Sequence, residues 1–429
     1  MSRTWSPLLS GPLADQASQA VREIADALPV TARPERGPSA SLAGGQAGEA
    51  LFYAYLALHT SDSAAATAAD RAAELLDQAG EALASTPLAA SLYGGFPGVA
   101  WTMQHLRGRL FEEDMEEGEE DPLQEIDEAL LAPLSRSPWP GEYDLIGGLV
   151  GLGVYALERL PHPTAAAMLE QIVHRLDELA ERLDEGTAWF TPPERLPDWQ
   201  REIHTRGVYN LGLAHGIPGV VAVLAGAAGA GVAAGRARPL LDSTVRWLLA
   251  RRYGPEMSCC FGNNYAPWEP PAPSRLAWCY GDPGVAASLL AAARAVGEPE
   301  WERQALDVAL AAAGREASTA LIRDAGLCHG AAGIGHLFNR MFQTTGEERL
   351  AEAARFWFRQ ALGMRAEGEG IAGFRAWEVD PSSGASWRSD PGVLEGAAGV
   401  GLSLLGALST VEPAWDRMLL VSLPPGTKD

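Results

Sequence analysis

At seven places along this 429-residue chain one four-residue frame, Gly-x-x-Gly, stands where a turn-like stretch gives way to an apolar helical one. The pairs are Gly45/Gly48, Gly95/Gly98, Gly148/Gly151, Gly216/Gly219, Gly281/Gly284, Gly330/Gly333 and Gly396/Gly399. Successive first glycines stand 50, 53, 68, 65, 49 and 66 residues apart, room for two helices and their connections. The residue before the second glycine is Pro97, Pro218 or Pro283 in three copies and Ala47, Ala332 or Ala398 in three others. Proline is tolerated in the first turn of a helix, where its missing N–H would have no partner anyway. Each frame therefore reads as a helix N-terminus entered by a tight turn. Glycine there is expected to supply positive φ and close backbone packing.

The segments between frames read as amphipathic helices. Over 164–184, Leu169, Ile172, Val173, Leu176, Leu179 and Leu183 share one face and Glu170, Asp177, Glu178 and Glu181 the other. Segments 61–84 and 347–362 have the same character. The frame helices instead run nearly uncharged for several turns, as after Gly284, which predicts burial on all sides. Buried helices alternating with amphipathic ones predict an all-α fold, an α/α toroid with seven inner and seven outer helices. The Pro-, Trp- and Gly-rich stretches 189–209, 255–274 and 366–390 read as long loops over one end, with room for short strands.

Composition narrows the function. The net charge is −22 at pH 7, with no basic stripe to neutralise phosphates, so nucleic acid is a poor partner. The acidic run from Glu112 to Asp121 reads as a solvated loop. Four cysteines do not make a disulfide scaffold, and the N-terminal MSRTWSPLLSG lacks the apolar core of a signal peptide. Segment 211–235 carries no formal charge, but its glycines and Pro218 favour a buried helix over a membrane span. A cytoplasmic location with free thiols is expected.

Aligning the copies on their first glycine puts Cys279 and Cys328 at the same position, two residues earlier. His215 and His329 share the next position. Two Cys and one His suit Zn²⁺ and leave a fourth position open, as a catalytic zinc requires. The same spacing is compatible with two buried free cysteines. Arg275 lies four residues before Cys279 and Asp144 four before Gly148; a surface ion pair and a helix cap are the plainer readings of these two. His336, two turns beyond His329, reads as core or lining. The adjacent Cys259 and Cys260 read as unpaired loop cysteines, with a substrate-side role left open. A carbohydrate-cleaving barrel would need two facing carboxylates, and the frames supply only Asp144, Asp282 and Glu395 without an obvious pair.

At these residues the chain resembles the LanC family, the lanthipeptide synthetase cyclases. The matching motifs are Tyr143-Asp-Leu-Ile-Gly-Gly148, Ala214-His-Gly-Ile-Pro-Gly219, Trp278-Cys-Tyr-Gly-Asp-Pro-Gly284 and Leu327-Cys-His-Gly-Ala-Ala-Gly333. The resemblance implies an α-toroid that occupies residues 1–429 as a single domain, with a small extension sought at 108–142 or 185–210. It implies one Zn²⁺ held by Cys279, Cys328 and His329, with His215, Asp144 and Arg275 as catalytic residues and Tyr280 in a role left open. The implied reaction adds cysteine thiols to dehydroalanine or dehydrobutyrine in a dehydrated precursor peptide, leader plus core, closing lanthionine or methyllanthionine rings. A separate dehydratase is an implied partner, since the chain is too short to carry one, and an exporter complex is a further candidate. Two alternatives remain: addition of glutathione to dehydrated residues, and a zinc-stabilised toroid that binds peptides without catalysis.

Overall fold

The computed structural model describes residues 4–28, 39–111, 121–380 and 384–424. Of the acidic run read as a solvated loop, all but Asp121 lies outside them. In chain order the helices are α1 (Gly11–Ala27), α2 (Gln46–His59), α3 (Asp62–Ser85), α4 (Phe96–Leu106), α5 (Gln124–Leu134), α6 (Leu149–Arg159), α7 (Pro163–Leu179), α8 (Asp198–Ile203), α9 (Ile217–Gly229), α10 (Ala234–Leu249), α11 (Asp282–Val296), α12 (Pro299–Ala313), α13 (Ala331–Thr345), α14 (Glu348–Gly363) and α15 (Ala397–Leu408).

Every frame starts a helix, and its first glycine is the N-cap in all seven copies. The expected positive φ is found only at Gly281, where φ is 110°. The other six lie between −143° and −103°, backbone that any residue adopts. Space is what demands glycine. In six frames the carbonyl of the residue six places earlier occupies the position a Cβ would take. That carbonyl is there because the entering loop folds back over the first helical turn. It accepts the first N–H of the helix, as in Gln46 to Ser39 (2.8 Å), Phe96 to Ala89 (3.1 Å) and Ala397 to Asp390 (2.9 Å). Backbone donors that a helix leaves unpaired at its start are satisfied in this way.

The alternation of Ala and Pro before the second glycine follows from the same arrangement. In the Ala copies the second N–H also finds a loop carbonyl, Ala47 to Ala40 at 3.3 Å and Ala332 to Ala325 at 3.2 Å. In the Pro copies there is no N–H to satisfy. The second glycine admits a neighbouring frame: a Cβ at Gly98 would come within 2.9 Å of Leu42, and one at Gly48 within 2.8 Å of Val393.

Contacts divide the chain into two compact units. The first comprises Met1–Ile126 and Ile322–Trp415. Its frame helices are neighbours in the order α13, α15, α2, α4, and are backed by α14, α1 and α3. The earliest helix, α1, thus serves as partner to the last, α15. The second unit comprises Asp127–Leu321 and Asp416–Asp429. Here α6, α9 and α11 are neighbours, backed by α7, α10 and α12. Helix α5 is tied to α6 by the buried Asp127, which accepts from Tyr155 (2.6 Å) and pairs with Arg159 (2.5 Å). The frame helices are buried nearly throughout, and apolar burial at roughly 25 cal/mol per Å² is the main driving force for this packing.

One helix ends earlier than its periodicity predicts. Residues 180–184 leave α7, and Glu181–Leu183 (β1) pairs antiparallel with Gly186–Ala188 (β2). The apolar spacing runs on to Leu183, but the hairpin claims it, and Leu183 is exposed. The long loops do hold short strands. Phe190–Thr191 (β3), Val208–Asn210 (β4) and Asn264–Tyr265 (β5) form an antiparallel sheet in that order. Ala376–Asp380 (β6) and Gly384–Arg388 (β7) form a hairpin. Among the described residues no helix is long and apolar enough to cross a membrane. The uncharged stretch 211–235 contains α9, only 13 residues long and buried.

Candidate functional site

The frames are linked to one another by backbone hydrogen bonds close to their glycines. In the first unit Cys328 N–H donates to Leu394 O (2.7 Å), Leu394 N–H to Ala43 O (3.1 Å) and Ala43 N–H to Tyr93 O (3.0 Å). In the second, Leu145 N–H donates to Ala214 O (3.1 Å) and Ala214 N–H to Cys279 O (3.4 Å). Residues two places before the first glycine, or three in the case of Leu145, are therefore where successive frames touch. Side chains at this position and the next are brought together by the backbone, whatever their chemistry.

In the second unit this places His215 beside the fifth frame. The His215 ring stacks on Tyr280, with centroids 6.0 Å apart and planes 24° from parallel. Its Nδ1 lies 2.6 Å from Asp144 Oδ2. The other oxygen of Asp144 accepts the Gly147 N–H at 2.8 Å. Asp144 thus accepts from its own turn with one oxygen and faces the histidine with the other, while the helix that follows is capped by Gly148 and not by the Asp144 side chain. A carboxylate accepting at Nδ1 leaves the Nε2 end of the imidazole available for proton transfer. His215 is 42% exposed, which lets a substrate reach it.

Tyr280 is held by its hydroxyl, which accepts from Asn210 Nδ2 at 3.1 Å. Burial raises the Tyr280 pKa, so the phenol stays protonated. Asn210 in turn accepts the Gly212 N–H at 2.9 Å, a turn that Asp324 and Asp390 repeat at the equivalent position of the sixth and seventh frames. Sequence reasoning missed Asn210. Its register, six residues before the first glycine, was the available signal.

Cys279, Cys328 and His329 each offer one ligand atom, and the three atoms lie within 4.8 Å of one another. Cys279 is buried, and Cys328 and His329 are half-buried. Two sulfurs and one imidazole nitrogen form a donor set that favours zinc over the hard, oxygen-seeking cations. Arg275 is half-buried, and its carbonyl is the one that excludes a side chain at Gly281. Among the described residues no hydrogen bond or ion pair joins its guanidinium to His215 or Asp144.

None of the four cysteines is in a disulfide. Cys259 and Cys260 are buried, and burial with the Asp282 charge nearby pushes the Cys260 thiol up to about 11, which favours the protonated thiol at neutral pH. Asp282 accepts the N–H groups of Cys260 (2.8 Å) and Phe261 (2.9 Å) and anchors that loop. Glu395 pairs with Arg388. The frame carboxylates are therefore each engaged separately and do not face one another as an acid pair. His336 is fully buried against Trp415, a core residue.

Comparison with known proteins bears on the fold and the family. No curated protein matches the chain. Fifteen solved chains match its structure, among them one titled nisin cyclase, with a TM-score of 0.72 at 18% identity over 95% of this chain and 97% of that one. The fold is an α/α toroid, as the periodicity predicts. The family model for the lanthionine synthetase C-like protein matches residues 38–420, which takes in all seven frames, so the chain belongs to the LanC-like family.

Proposed function

We propose that the protein is a zinc-dependent cyclase that closes thioether rings in a dehydrated precursor peptide. The observation that carries this reading is the Cys279, Cys328 and His329 donor group, one residue along the chain from the tyrosine on which His215 stacks. These three residues would hold the zinc. Bound there with one coordination position open, the ion would lower the pKa of a substrate cysteine thiol, ordinarily about 8.5, and leave it nucleophilic at neutral pH.

The protein's own groups account for the rest. Addition of the sulfur to Cβ of dehydroalanine or dehydrobutyrine moves an electron pair to Cα, which must gain a proton. His215 would deliver it from Nε2, having taken it from the incoming thiol. Asp144, at Nδ1, holds the ring in orientation and stabilises the imidazolium between the two transfers. Arg275 would offset the charge that develops on the enolate oxygen. The thiol proton ends on Cα and the mass of the peptide is unchanged. A separate dehydratase would supply the alkene.

The test is mass spectrometry of a dehydrated, cysteine-containing peptide after thiol alkylation, with and without the zinc-loaded protein. Fewer alkylatable thiols at constant mass is the expected result. A gain of one glutathione per alkene, when glutathione is supplied, would favour intermolecular addition instead. A thiol count equal to the control, with no gain in mass, would sink both. His215→Ala should retain zinc, whereas Cys279→Ala and Cys328→Ala should lose it, as measured by bound-metal stoichiometry. Zinc loss in all three would make His215 a ligand.

A further inference from the structure

Beside His215 in the second unit lies a cavity of about 210 Å³. Asp144, His215 and Tyr280 line it together with a wall from the 190–203 segment, Thr191, Leu196 and Gln200, whose side chain hydrogen-bonds Tyr280. We infer that this cavity is a specificity subsite, which receives one uncharged side chain of the substrate peptide, from the residue adjoining the one protonated by His215. The inference rests on the cyclase reading for the identity of the peptide, but not for the existence of the subsite.

Size is the first argument. Pockets for whole drug-sized ligands occupy roughly 300–1,000 Å³, so this one suits a single side chain. Position is the second. His215 is itself part of the lining, and neighbouring Cα atoms in a peptide stand about 3.8 Å apart. A side chain filling the cavity therefore belongs to a residue next to the reacting one. The third argument is lining chemistry. The Thr191 hydroxyl and the Gln200 carboxamide face the cavity beside the apolar Leu196 and Pro197. The two charged groups on that side neutralise each other, with Arg195 Nη1 3.2 Å from Glu142 Oε1. Asp144, the other carboxylate of the lining, is engaged by His215 and Gly147, so a charged side chain would find no unengaged counter-ion, whereas an uncharged one finds both apolar contact and hydrogen bonds.

The wall is also held in place. Arg195 donates to Gly141 O (2.7 Å) and Pro140 O (3.2 Å), tying the 190–203 segment to the backbone that leads into Asp144. One guanidinium thus fixes the distance between the specificity wall and the proton-transfer pair. Gln200 sits on α8 and looks into the cavity, while Trp199 and Ile203 on the same helix are exposed to solvent. Substitution at Gln200 can therefore change the cavity without opening the core.

The experiment uses zinc-loaded protein and synthetic peptides Ala-X-Gly-Gly-Cys, in which Ala replaces the alkene residue and X is Gly, Ser, Leu, Lys, Glu or Trp. Binding is read by displacement of a fluorescently labelled member of the set. Leu or Ser at X should bind about tenfold more tightly than Gly, and Trp and Glu should bind worst. Gln200→Trp, which fills the cavity, should bring the Leu-to-Gly ratio close to one. The isosteric Gln200→Glu should shift the preference toward Lys about tenfold, and it supports the assignment if the larger substitution does not fold. Indifference of the wild type to X, or an equal loss for all peptides in both variants, would overturn the subsite. The same set with dehydroalanine in place of Ala separates the two proposals. Sorting by X without ring closure leaves the subsite standing and the cyclase reading refuted; ring closure without sorting does the reverse.

Discussion

In the second frame, Tyr93-Gly94-Gly95, the N-capping glycine has φ −126° and ψ −171°; in the fourth, Ala214-His215-Gly216, it has φ −143° and ψ −161°. Both caps are followed by a proline in the first helical turn, and both lie against the carbonyl six residues earlier. The two differ one residue before the cap. Gly94 has no steric reason to be glycine: a Cβ there would meet nothing nearer than Ser91 Oγ at 3.6 Å. At Gly44, the same position in the first frame, it would meet nothing within 4 Å. The fourth frame places the imidazole of His215 in this open position. The fold therefore dictates the capping glycine and leaves its predecessor free, so chemistry can be installed in some copies without cost to the others.

Substituting the cap should have the largest effect. Gly95→Ala and Gly216→Ala each drive a Cβ into a backbone carbonyl that cannot withdraw without unmaking the turn. Each should lose more than about 4 kcal/mol or fail to fold. Urea unfolding followed by circular dichroism checks this, and wild-type stability in either variant would break the comparison.

Next comes Asp144→Asn. The amide can still accept from Gly147, but its NH₂ replaces the acceptor that faces His215 Nδ1 and favours the wrong tautomer. Ring-closing rate should fall roughly 100-fold or more with the melting temperature nearly unchanged. A fall in both together would mean that Asp144 only holds its turn.

The fifth frame departs from the pattern with its positive φ and its buried carboxylate. Burial raises the Asp282 pKa to about 6, opposed by the N–H groups of Cys260 and Phe261. A carboxyl that binds its proton more tightly when folded stabilises the protein most at low pH. That contribution is lost as pH rises from about 4 to 6, on the order of 3 kcal/mol. Compared with Asp282→Asn, the wild type should therefore gain relative stability in urea titrations at pH 4.5 over those at pH 7. A difference independent of pH would refute the assignment.

The smallest effect is expected at the open position. Gly94→Ala and Gly44→Ala should each change stability by no more than about 0.5 kcal/mol. A loss comparable to that of Gly95→Ala would show that the slot is not free.

Much of this was legible in the residues. The seven frames marked helix starts, and their register paired Cys279 with Cys328 and His215 with His329 before any coordinates. Two readings failed for physical reasons. Glycine was expected for positive φ and for close backbone packing; the first holds only at Gly281, while the other six caps are extended and need glycine for space, which only the returning loop reveals in detail. The face through Leu183 continued a helical period that a hairpin interrupts, because periodicity cannot tell the end of a helix from an apolar residue placed by the next element. The wall built from Thr191, Leu196 and Gln200 was illegible, since such short elements carry no usable period and their meeting depends on how the segment folds.

The sequence by itself determined the repeat, the helix starts and the residues able to carry chemistry, because glycine spacing and apolar periodicity are local properties of the chain. Only the tertiary structure decided what those residues do together. Hydrogen bonds from one frame to the next set Ala214 against Cys279, Asp144 divided its two oxygens between a turn and a histidine, and Arg195 fixed a cavity beside them. Each of these joins residues dozens of positions apart, and such contacts exist only once the helices have packed.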